Sequence, residues 1–156
     1  DRADDKSRRY SGGMKRRLMI GMALLHKPKM LFLDEPTVGL DPQVRRKMWD
    51  LIRKMNEAGM TVLLTTHYIE EADQLCRRVA IMNRGRIIAV DTPQKLKEKV
   101  GRVVVEHMEA DGMINNFFDN REQAASYVAG LDSNATVREA NLEDVFIELT
   151  GRRVND

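Results

Sequence analysis

The sequence predicts an α/β protein built on a parallel βαβ unit, and three observations support this prediction. Met30–Leu33 is a continuous apolar run of the kind expected for a strand buried on both faces, and Thr61–Thr65 is a second short run. Between the two runs, apolar residues recur at helical spacing from Pro42 to Ala58. A strand, a helix and a strand in about 35 residues predict two parallel strands joined by a right-handed crossover.

Start and stop signals predict the order of the elements. Ser11 and two glycines precede an apolar-periodic stretch from Met14 to His26, which predicts a helix that Pro28 ends. Asp41 is the expected N-cap of the crossover helix, and Gly59 its expected end. The later predicted elements are a helix at 69–76, a hairpin of 79–82 and 86–90, a helix from Thr92 to Gly101, a strand at 103–105 and helices at 121–129 and 142–149. The methionines predicted to fill the core are Met14, Met19, Met22, Met30, Met48 and Met55.

The composition indicates a folded, water-soluble protein. The chain has 156 residues, of which 42% are hydrophobic and 32% charged, and this composition argues against a disordered or fibrous protein. No apolar run approaches the roughly 18 residues that cross a bilayer, and no signal peptide is recognised. A single cysteine, Cys76, excludes a disulfide framework and a cysteine-rich metal site, and it favours a reducing cytoplasm.

The charge distribution predicts a boundary near Gly101. Basic residues number 21 against 13 acidic ones in residues 1–100, but only 5 against 11 in residues 101–156. We therefore expect one domain over 1–100 and a separate region over 101–156.

Polar side chains follow both strands of the predicted βαβ unit. Asp34 and Glu35 come directly after the first strand, and His67 follows the second. Ligands bind outside the carboxyl ends of parallel strands, so these side chains are expected to converge. Asp34 suits Mg²⁺, Glu35 could polarise a water and His67 could donate a hydrogen bond to a phosphate. A plain strand-ending turn is the alternative, which the preceding apolar run and the matching position of His67 disfavour.

Ser11, Gly12 and Gly13 form a second candidate site, for an anion. A helix N-terminus presents free N–H groups, and glycines let a phosphate approach the backbone. The surrounding basic residues are Lys6, Arg8, Arg9, Lys15, Arg16 and Arg17, with no acidic residue between positions 6 and 17. Alone, the Ser-Gly-Gly sequence is more typical of a flexible turn, and the basic cluster of a solvated face or a nucleic-acid patch.

Taken together, these segments resemble the motifs of ABC-transporter ATP-binding subunits. YSGGMK at 10–15 resembles the signature motif, MLFLDEPT at 30–37 an extended Walker B motif, GLDP at 39–42 the D-loop and TTH at 65–67 the switch histidine. All four occur in family order and at family spacing within 58 residues. The resemblance implies the C-terminal part of an ABC-type P-loop NTPase fold over residues 1–100, followed by a small α+β appendage at 101–156.

The resemblance also implies roles for individual residues. Asp34 would engage Mg²⁺, Glu35 would be the general base for the attacking water, and His67 would contact the γ-phosphate. The signature residues Ser11, Gly12 and Gly13 would clamp the γ-phosphate of ATP held by a partner subunit in a head-to-tail dimer. Asp41 would couple the two sites of that dimer.

Departures from the family pattern limit what this chain is expected to do alone. Tyr10 replaces the usual leucine of the signature and Met14 the usual glutamine. More seriously, no G-x-x-x-x-G-K-[ST] motif, the Walker A phosphate loop, occurs among the ten glycines. We therefore expect the chain to lack an N-terminal half, to bind ATP poorly and to hydrolyse little by itself.

The implied function is ATP hydrolysis by the energy-coupling subunit of an exporter. The signature region and the tail at 141–151 resemble drug-resistance and nodulation-type exporter ATPases, which pair with a separate membrane permease. ATP and Mg²⁺ are the implied cofactors, the implied location is cytoplasmic and peripheral on the inner face of the cell membrane, and no nucleic acid is expected. The alternatives are a soluble ABC-type ATPase acting on nucleic acid or ribosomes, which the basic cluster would serve, and a non-catalytic remnant.

Overall fold

The computed structural model describes residues 10–109, 112–131 and 133–151, and the chain divides into two compact units between Glu71 and Ala72. Of the described residues, 10–71 belong to the first unit and 72–151 to the second. This division lies about thirty residues before the composition shift at Gly101. The assignment of 1–100 and 101–156 to separate functional regions stays a prediction.

The first unit contains the expected parallel βαβ unit. Its elements are α1 (Gly12–Leu24), β1 (Met30–Asp34), α2 (Pro42–Glu57), β2 (Thr61–Thr65) and α3 (Ile69–Leu75), of which α3 runs past Glu71. β1 pairs with β2 in parallel, from Met30 opposite Thr61 to Asp34 opposite Thr65. α2 begins where Asp41 caps it and Pro42 occupies the first turn, and it packs against β2. The predicted fold class is confirmed.

One face of the β1–β2 sheet is exposed, so the prediction that the Met30–Leu33 strand is buried on both faces is wrong. Leu31 and Leu33 are buried, whereas Phe32 is 68% exposed and its register partner Leu63 is 51% exposed. Side chains alternate between the faces of a strand, and α2 can cover only one of them. The other face lacks a covering layer within the described residues.

The methionines divide in the same way. Met48 and Met55 of α2 are buried, as predicted, but Met19, Met22 and Met30 are 61%, 58% and 43% exposed, so the core assignment of these three is wrong. The apolar stripe of α1 is regular in sequence, yet its members Leu18, Met22 and Leu25 are 43%, 58% and 77% exposed.

Trp49 and Glu71 form a buried polar contact within the first unit. Trp49 is 8% exposed, and its indole N–H donates to Glu71 Oε1 over 3.0 Å. Glu71 is fully buried at the start of α3. Trp49 therefore packs in the core, and its hydrogen bond connects α2 to α3.

The second unit begins with a hairpin and a short helix. β3 (Val79–Asn83) and β4 (Arg86–Asp91) pair antiparallel, as predicted. Arg84 and Gly85 turn the chain with φ of +47° and +75°, the positive values that a two-residue type I′ turn needs. α4 (Pro93–Val100) follows with Thr92 as its N-cap.

A three-stranded antiparallel sheet completes the second unit. Its strands are β5 (Val103–Glu109), β6 (Gly112–Phe118) and β7 (Ala135–Glu139), with β5 in the centre. Along the chain, α5 (Arg121–Val128) lies between β6 and β7, and α6 (Leu142–Gly151) follows β7. Val103, Val105 and Ala124 form a buried core cluster of this unit. This arrangement is the small α+β region expected there, with β6 and β7 as strands that the sequence did not predict.

Gly101 joins α4 directly to β5 and is itself buried. Its φ is +133°, and an added Cβ would lie 3.0 Å from Phe117 Cβ and 3.1 Å from the Phe118 backbone nitrogen. The position predicted as a boundary is therefore a packed turn. Within the described residues, no helix combines the length and apolar character that a membrane span requires.

Candidate functional site

Asp34 and Thr65 meet where the two parallel strands end. They are register partners, and the Thr65 hydroxyl donates a hydrogen bond to Asp34 Oδ1. The Asp34 side chain is exposed at this edge. The structure thus places Asp34 where the sequence predicts it and adds Thr65 as the group that orients its carboxylate.

The backbone of Glu35 turns sharply after β1. Its φ is +46°, a left-handed conformation that costs a non-glycine residue free energy. Two hydrogen bonds hold this turn: the Glu35 N–H donates to the Thr65 carbonyl over 3.0 Å, and Arg16 Nη2 donates to the Glu35 carbonyl over 3.1 Å. β2 and α1 therefore fix the direction in which the Glu35 side chain leaves the backbone.

The Glu35 carboxylate and the His67 imidazole are paired. His67 Nδ1 lies 3.0 Å from Glu35 Oε1. Because a carboxylate only accepts hydrogen bonds, Nδ1 carries the proton of this bond, and Nε2 is left for another partner. Glu35 Oε2 is buried and has no hydrogen-bond partner among the described residues. The structure brings together the two residues that the sequence placed at neighbouring strand ends.

An aromatic ring and a guanidinium group lie beside His67. The rings of His67 and Tyr68 have centroids 4.4 Å apart with 44° between their planes. Arg45 Cζ of α2 lies 4.9 Å from the centroid of the Tyr68 ring. Sequence analysis named Thr65 only within the TTH segment and Arg16 only within the basic cluster, and it missed Tyr68 and Arg45. For Tyr68, adjacency to His67 was a signal, but no sequence signal gave the contacts of Arg16 and Arg45.

The predicted anion site forms the N-terminus of α1. Ser11 is the N-cap, and its hydroxyl oxygen accepts from the Met14 N–H over 3.3 Å. An added Cβ at Gly12 would meet nothing within 4 Å, whereas one at Gly13 would lie 2.7 Å from Val44 Cγ1. Gly12 thus faces open space, and Gly13 permits close packing of α1 against α2.

Asp41 caps α2 at the position predicted for the D-loop. Its Oδ1 accepts from the Gln43 N–H over 3.1 Å and from the Val44 N–H over 2.9 Å. These two bonds account for the aspartate structurally. A role in coupling two sites stays a prediction.

The donor set at the strand ends fits a magnesium ion that keeps most of its water and phosphate ligands. Within the described ranges, no group of three or more His, Cys, Asp or Glu side chains could enclose a metal ion. Asp34 is an exposed carboxylate with one oxygen oriented by Thr65. Magnesium is commonly held by one or two carboxylates while phosphates and waters complete its octahedron, so the single Asp34 is sufficient.

A parallel βαβ unit with carboxylates and an imidazole at the carboxyl ends of its strands is typical of α/β proteins that bind their ligands at this edge of the sheet. Comparison with known proteins makes this class specific. Residues 1–38 match the family model described as ABC transporter. The linearmycin resistance ATP-binding protein LnrL of Bacillus subtilis is 36% identical over 188 residues, covering 100% of this chain and 60% of that protein.

Other relatives agree. The Nod factor export ATP-binding protein I of Burkholderia pseudomallei is 40% identical over 176 residues, covering 99% of this chain and 58% of that protein. A dimeric post-hydrolysis ATP-binding cassette bound to ADP and Pi matches 58% of this chain and 36% of its own, with a TM-score of 0.53 and 32% identity. An ATP-binding subunit of an ABC transporter matches 91% of this chain and 45% of its own, with a TM-score of 0.57 and 25% identity.

Residues 1–38 match the ABC transporter family model, and nearly the whole chain aligns with ATP-binding proteins of such systems, which confirms the resemblance that its motifs predict. It spans about 60% of the length of the curated relatives it matches.

Proposed function

We propose that the protein containing this sequence hydrolyses ATP as the energy-coupling subunit of an ABC-type exporter. The observation that carries the proposal is the Glu35 carboxylate, with one oxygen bonded to His67 and the other without a partner. The names of the relatives, which refer to linearmycin resistance and Nod factor export, support the exporter assignment.

Glu35 acts as the general base in this proposal. Hydrolysis needs a group that orients the attacking water and accepts its proton. The unpartnered Oε2 is the available acceptor, while the bond from His67 to Oε1 and the fixed backbone turn hold the carboxylate in place.

His67 contacts the γ-phosphate through Nε2. Its Nδ1–H bond to Glu35 fixes the plane of the ring. If both ring nitrogens donate, one to Glu35 and one to the phosphate, the imidazole is cationic. A cation at this position also offsets the negative charge on the transferring phosphoryl group.

Asp34 would hold the magnesium ion, and the signature residues bind a second nucleotide. Bound there, magnesium would neutralise charge on the phosphates. Ser11, Gly12 and Gly13, at the N-terminus of α1, clamp the γ-phosphate of ATP on a partner subunit, and Gly13 also lets α1 approach α2 closely. Because the 156 residues contain no Walker A motif, the phosphate loop of each site comes from polypeptide outside them.

The proposed partners are a second ABC ATPase subunit, arranged head to tail, and a separate membrane permease. Asp41, at the start of α2, would communicate between the two ATP sites of this dimer. Residues 1–100 would supply the catalytic machinery and residues 101–156 an accessory region. The assembly would lie at the cytoplasmic face of the cell membrane.

Phosphate release from Mg-ATP by the natural gene product that contains residues 1–156 tests the proposal. Replacement Glu35→Gln removes the proton acceptor and is expected to lower kcat by roughly 100-fold or more. The control Glu57→Gln changes an exposed carboxylate at the end of α2 and is expected to hydrolyse normally. Normal turnover by Glu35→Gln would contradict the assignment, and the isolated 156-residue chain is expected to hydrolyse little.

A further inference from the structure

A continuous series of contacts connects α2 to the Glu35–His67 pair. The guanidinium of Arg45 lies over the Tyr68 ring at 4.9 Å, and the Tyr68 ring lies 4.4 Å from the His67 ring. His67 in turn bonds to Glu35. The guanidinium, the phenol ring, the imidazole and the carboxylate thus form a row in which each group contacts the next.

His67 needs support beyond its bond to Glu35. The His67 side chain is 63% exposed, so little packing restricts its rotamer. Tyr68 is better fixed, because its backbone N–H donates to Thr66 Oγ1 over 3.0 Å and its carbonyl accepts from the Glu71 N–H over 3.0 Å. The Tyr68 ring therefore offers His67 an anchored surface.

Arg45 is the end of this contact series that lies farthest from Glu35. Its side chain is half-buried, and its Nε is buried without a hydrogen-bond partner among the described residues. The attraction between the guanidinium and the electron-rich ring is therefore the contact that accounts for its placement. The Arg45 N–H also donates to the Asp41 carbonyl over 2.9 Å in the first turn of α2.

We propose that Tyr68 and Arg45 are positioning residues that hold the His67 imidazole against Glu35 and link its orientation to Asp41. This inference rests on the proposed function for its catalytic meaning. The link is physical, because a displacement of Asp41 moves Arg45 in the same helical turn, and Arg45 moves the ring against which His67 lies.

Side-chain ¹⁵N NMR of the 156-residue chain tests the inference without nucleotide. The signals of His67 are assigned by their loss in His67→Gln, and wild type is expected to show one tautomer protonated at Nδ1. In Tyr68→Leu, the His67 imidazole is expected to exchange between its two tautomers and to give averaged ¹⁵N signals, like those expected of the exposed His26. Tyr68→Phe retains the ring and is expected to give the wild-type His67 signals. The Trp49 indole N–H resonance, bonded to Glu71, verifies that the first unit remains folded.

Arg45→Gln is the second variant and decides the outcome if Tyr68→Leu loses the Trp49 resonance. Arg45→Gln is expected to change the ¹⁵N chemical shifts of His67 in the same direction as Tyr68→Leu does. Arg46→Gln, which alters the exposed neighbouring arginine, is expected to leave these shifts unchanged. Wild-type His67 shifts in a folded Arg45→Gln, or equal shifts in Arg46→Gln, would overturn the proposal.

ATP hydrolysis by the natural gene product separates this inference from the proposed function. Tyr68→Leu is expected to lower kcat by roughly 10-fold to 100-fold with KM for ATP unchanged, and Tyr68→Phe to restore it. A His67 response in the NMR experiment without hydrolysis in any variant would refute the proposed function and leave the contact series intact. Hydrolysis by wild type with no effect of Tyr68→Leu would refute the positioning role alone.

Discussion

Glu35 shows how a reactive side chain can depend on several distant segments. A non-glycine residue at φ +46° is strained, and such strain persists only where surrounding contacts determine the conformation. Thr65 of β2, Arg16 of α1 and His67 supply those contacts. The geometry of the proposed base is therefore a property of the first unit and not of the local sequence.

The two signature glycines are expected to respond differently to an added methyl group. Gly13→Ala places Cβ 2.7 Å from Val44 Cγ1 and is expected to destabilise the first unit by about 1–3 kcal/mol. Gly12→Ala enters open space at the start of a helix and is expected to be neutral or stabilising by up to ~1 kcal/mol. Urea unfolding followed by Trp49 fluorescence measures the free energy of unfolding of both variants.

Val44→Ala provides the control for this clash. In the Gly13→Ala background it removes the atom that the new methyl group meets, so it is expected to recover part of the lost stability. Equal effects of Gly12→Ala and Gly13→Ala would show that helix packing does not explain Gly13.

The positions of Asp34, Glu35 and His67 were predictable because apolar runs reveal where strands end and parallel strands end at the same edge. Their partners were not predictable in this way. Arg16 and Arg45 reach the site through long side chains whose directions depend on how α1 and α2 pack. The basic cluster predicted an environment for anions and gave no indication that Arg16 bonds to a carbonyl.

Among the elements, α6 is joined to β7 by a partly buried ion pair. Arg138 of β7 donates from two nitrogens to the Asp144 carboxylate, each over 2.7 Å, and also pairs with Glu106 of β5. Burial alone would raise the pKa of Asp144, but hydrogen bonds from Arg138 and from the Asn141 N–H outweigh it and hold this pKa below its usual value. The hydrogen bond to Asp144 raises the pKa of Arg138, which stays charged.

The second unit is therefore expected to lose stability in acid. A depressed carboxyl pKa contributes stability that is complete above its unfolded pKa of about 3.9 and is lost as pH falls through the folded pKa. Asp144→Asn is expected to cost roughly 1–3 kcal/mol at pH 7 and to flatten this dependence below pH 4. The free energy of unfolding at each pH is measured by urea unfolding, followed through the NMR signals of the β5 amides. Glu143→Gln, which changes an exposed carboxylate, is the control. An unchanged acid response in Asp144→Asn would refute the role of the pair.

Helices and strands with strong local sequence patterns were predictable. Strands that form because they pair with a distant strand were not. The hairpin of β3 and β4 and the capped helices α2 and α4 follow from glycine, proline and cap residues. β6 has the sequence GMINNFF, in which two asparagines interrupt the apolar alternation, and it is a strand because it pairs with β5 along its length. Such long-range pairing is not visible in a local pattern.

At the scale of the whole molecule, the first unit exposes large apolar side chains. Those with the greatest exposure are Leu25, Phe32, Met19, Met22 and Leu63, at 77%, 68%, 61%, 58% and 51%. Exposed apolar surface favours association and binds hydrophobic dyes when it is contiguous. The adjacent Phe32 and Leu63 provide a defined patch for such a test.

Phe32→Thr combined with Leu63→Thr is expected to reduce dye fluorescence and concentration-dependent association of the 156-residue chain without lowering its stability. Both side chains lie on the exposed face of the sheet, and threonine is compatible with a strand. The control Leu33→Thr changes the buried face and is expected to destabilise the first unit by about 2 kcal/mol. The hypothesis fails if the double variant binds as much dye as wild type while remaining folded.

Gly101 has an evolutionary consequence. Its positive φ and the 3.0 Å approach to Phe117 Cβ make any side chain at this position strained and crowded, whatever the chemistry of the first unit. The requirement for glycine at this turn is thus set by packing within the second unit. Among homologues, a substitution at position 101 should mark lineages in which the second unit has been lost or rebuilt, even where Glu35 and His67 persist.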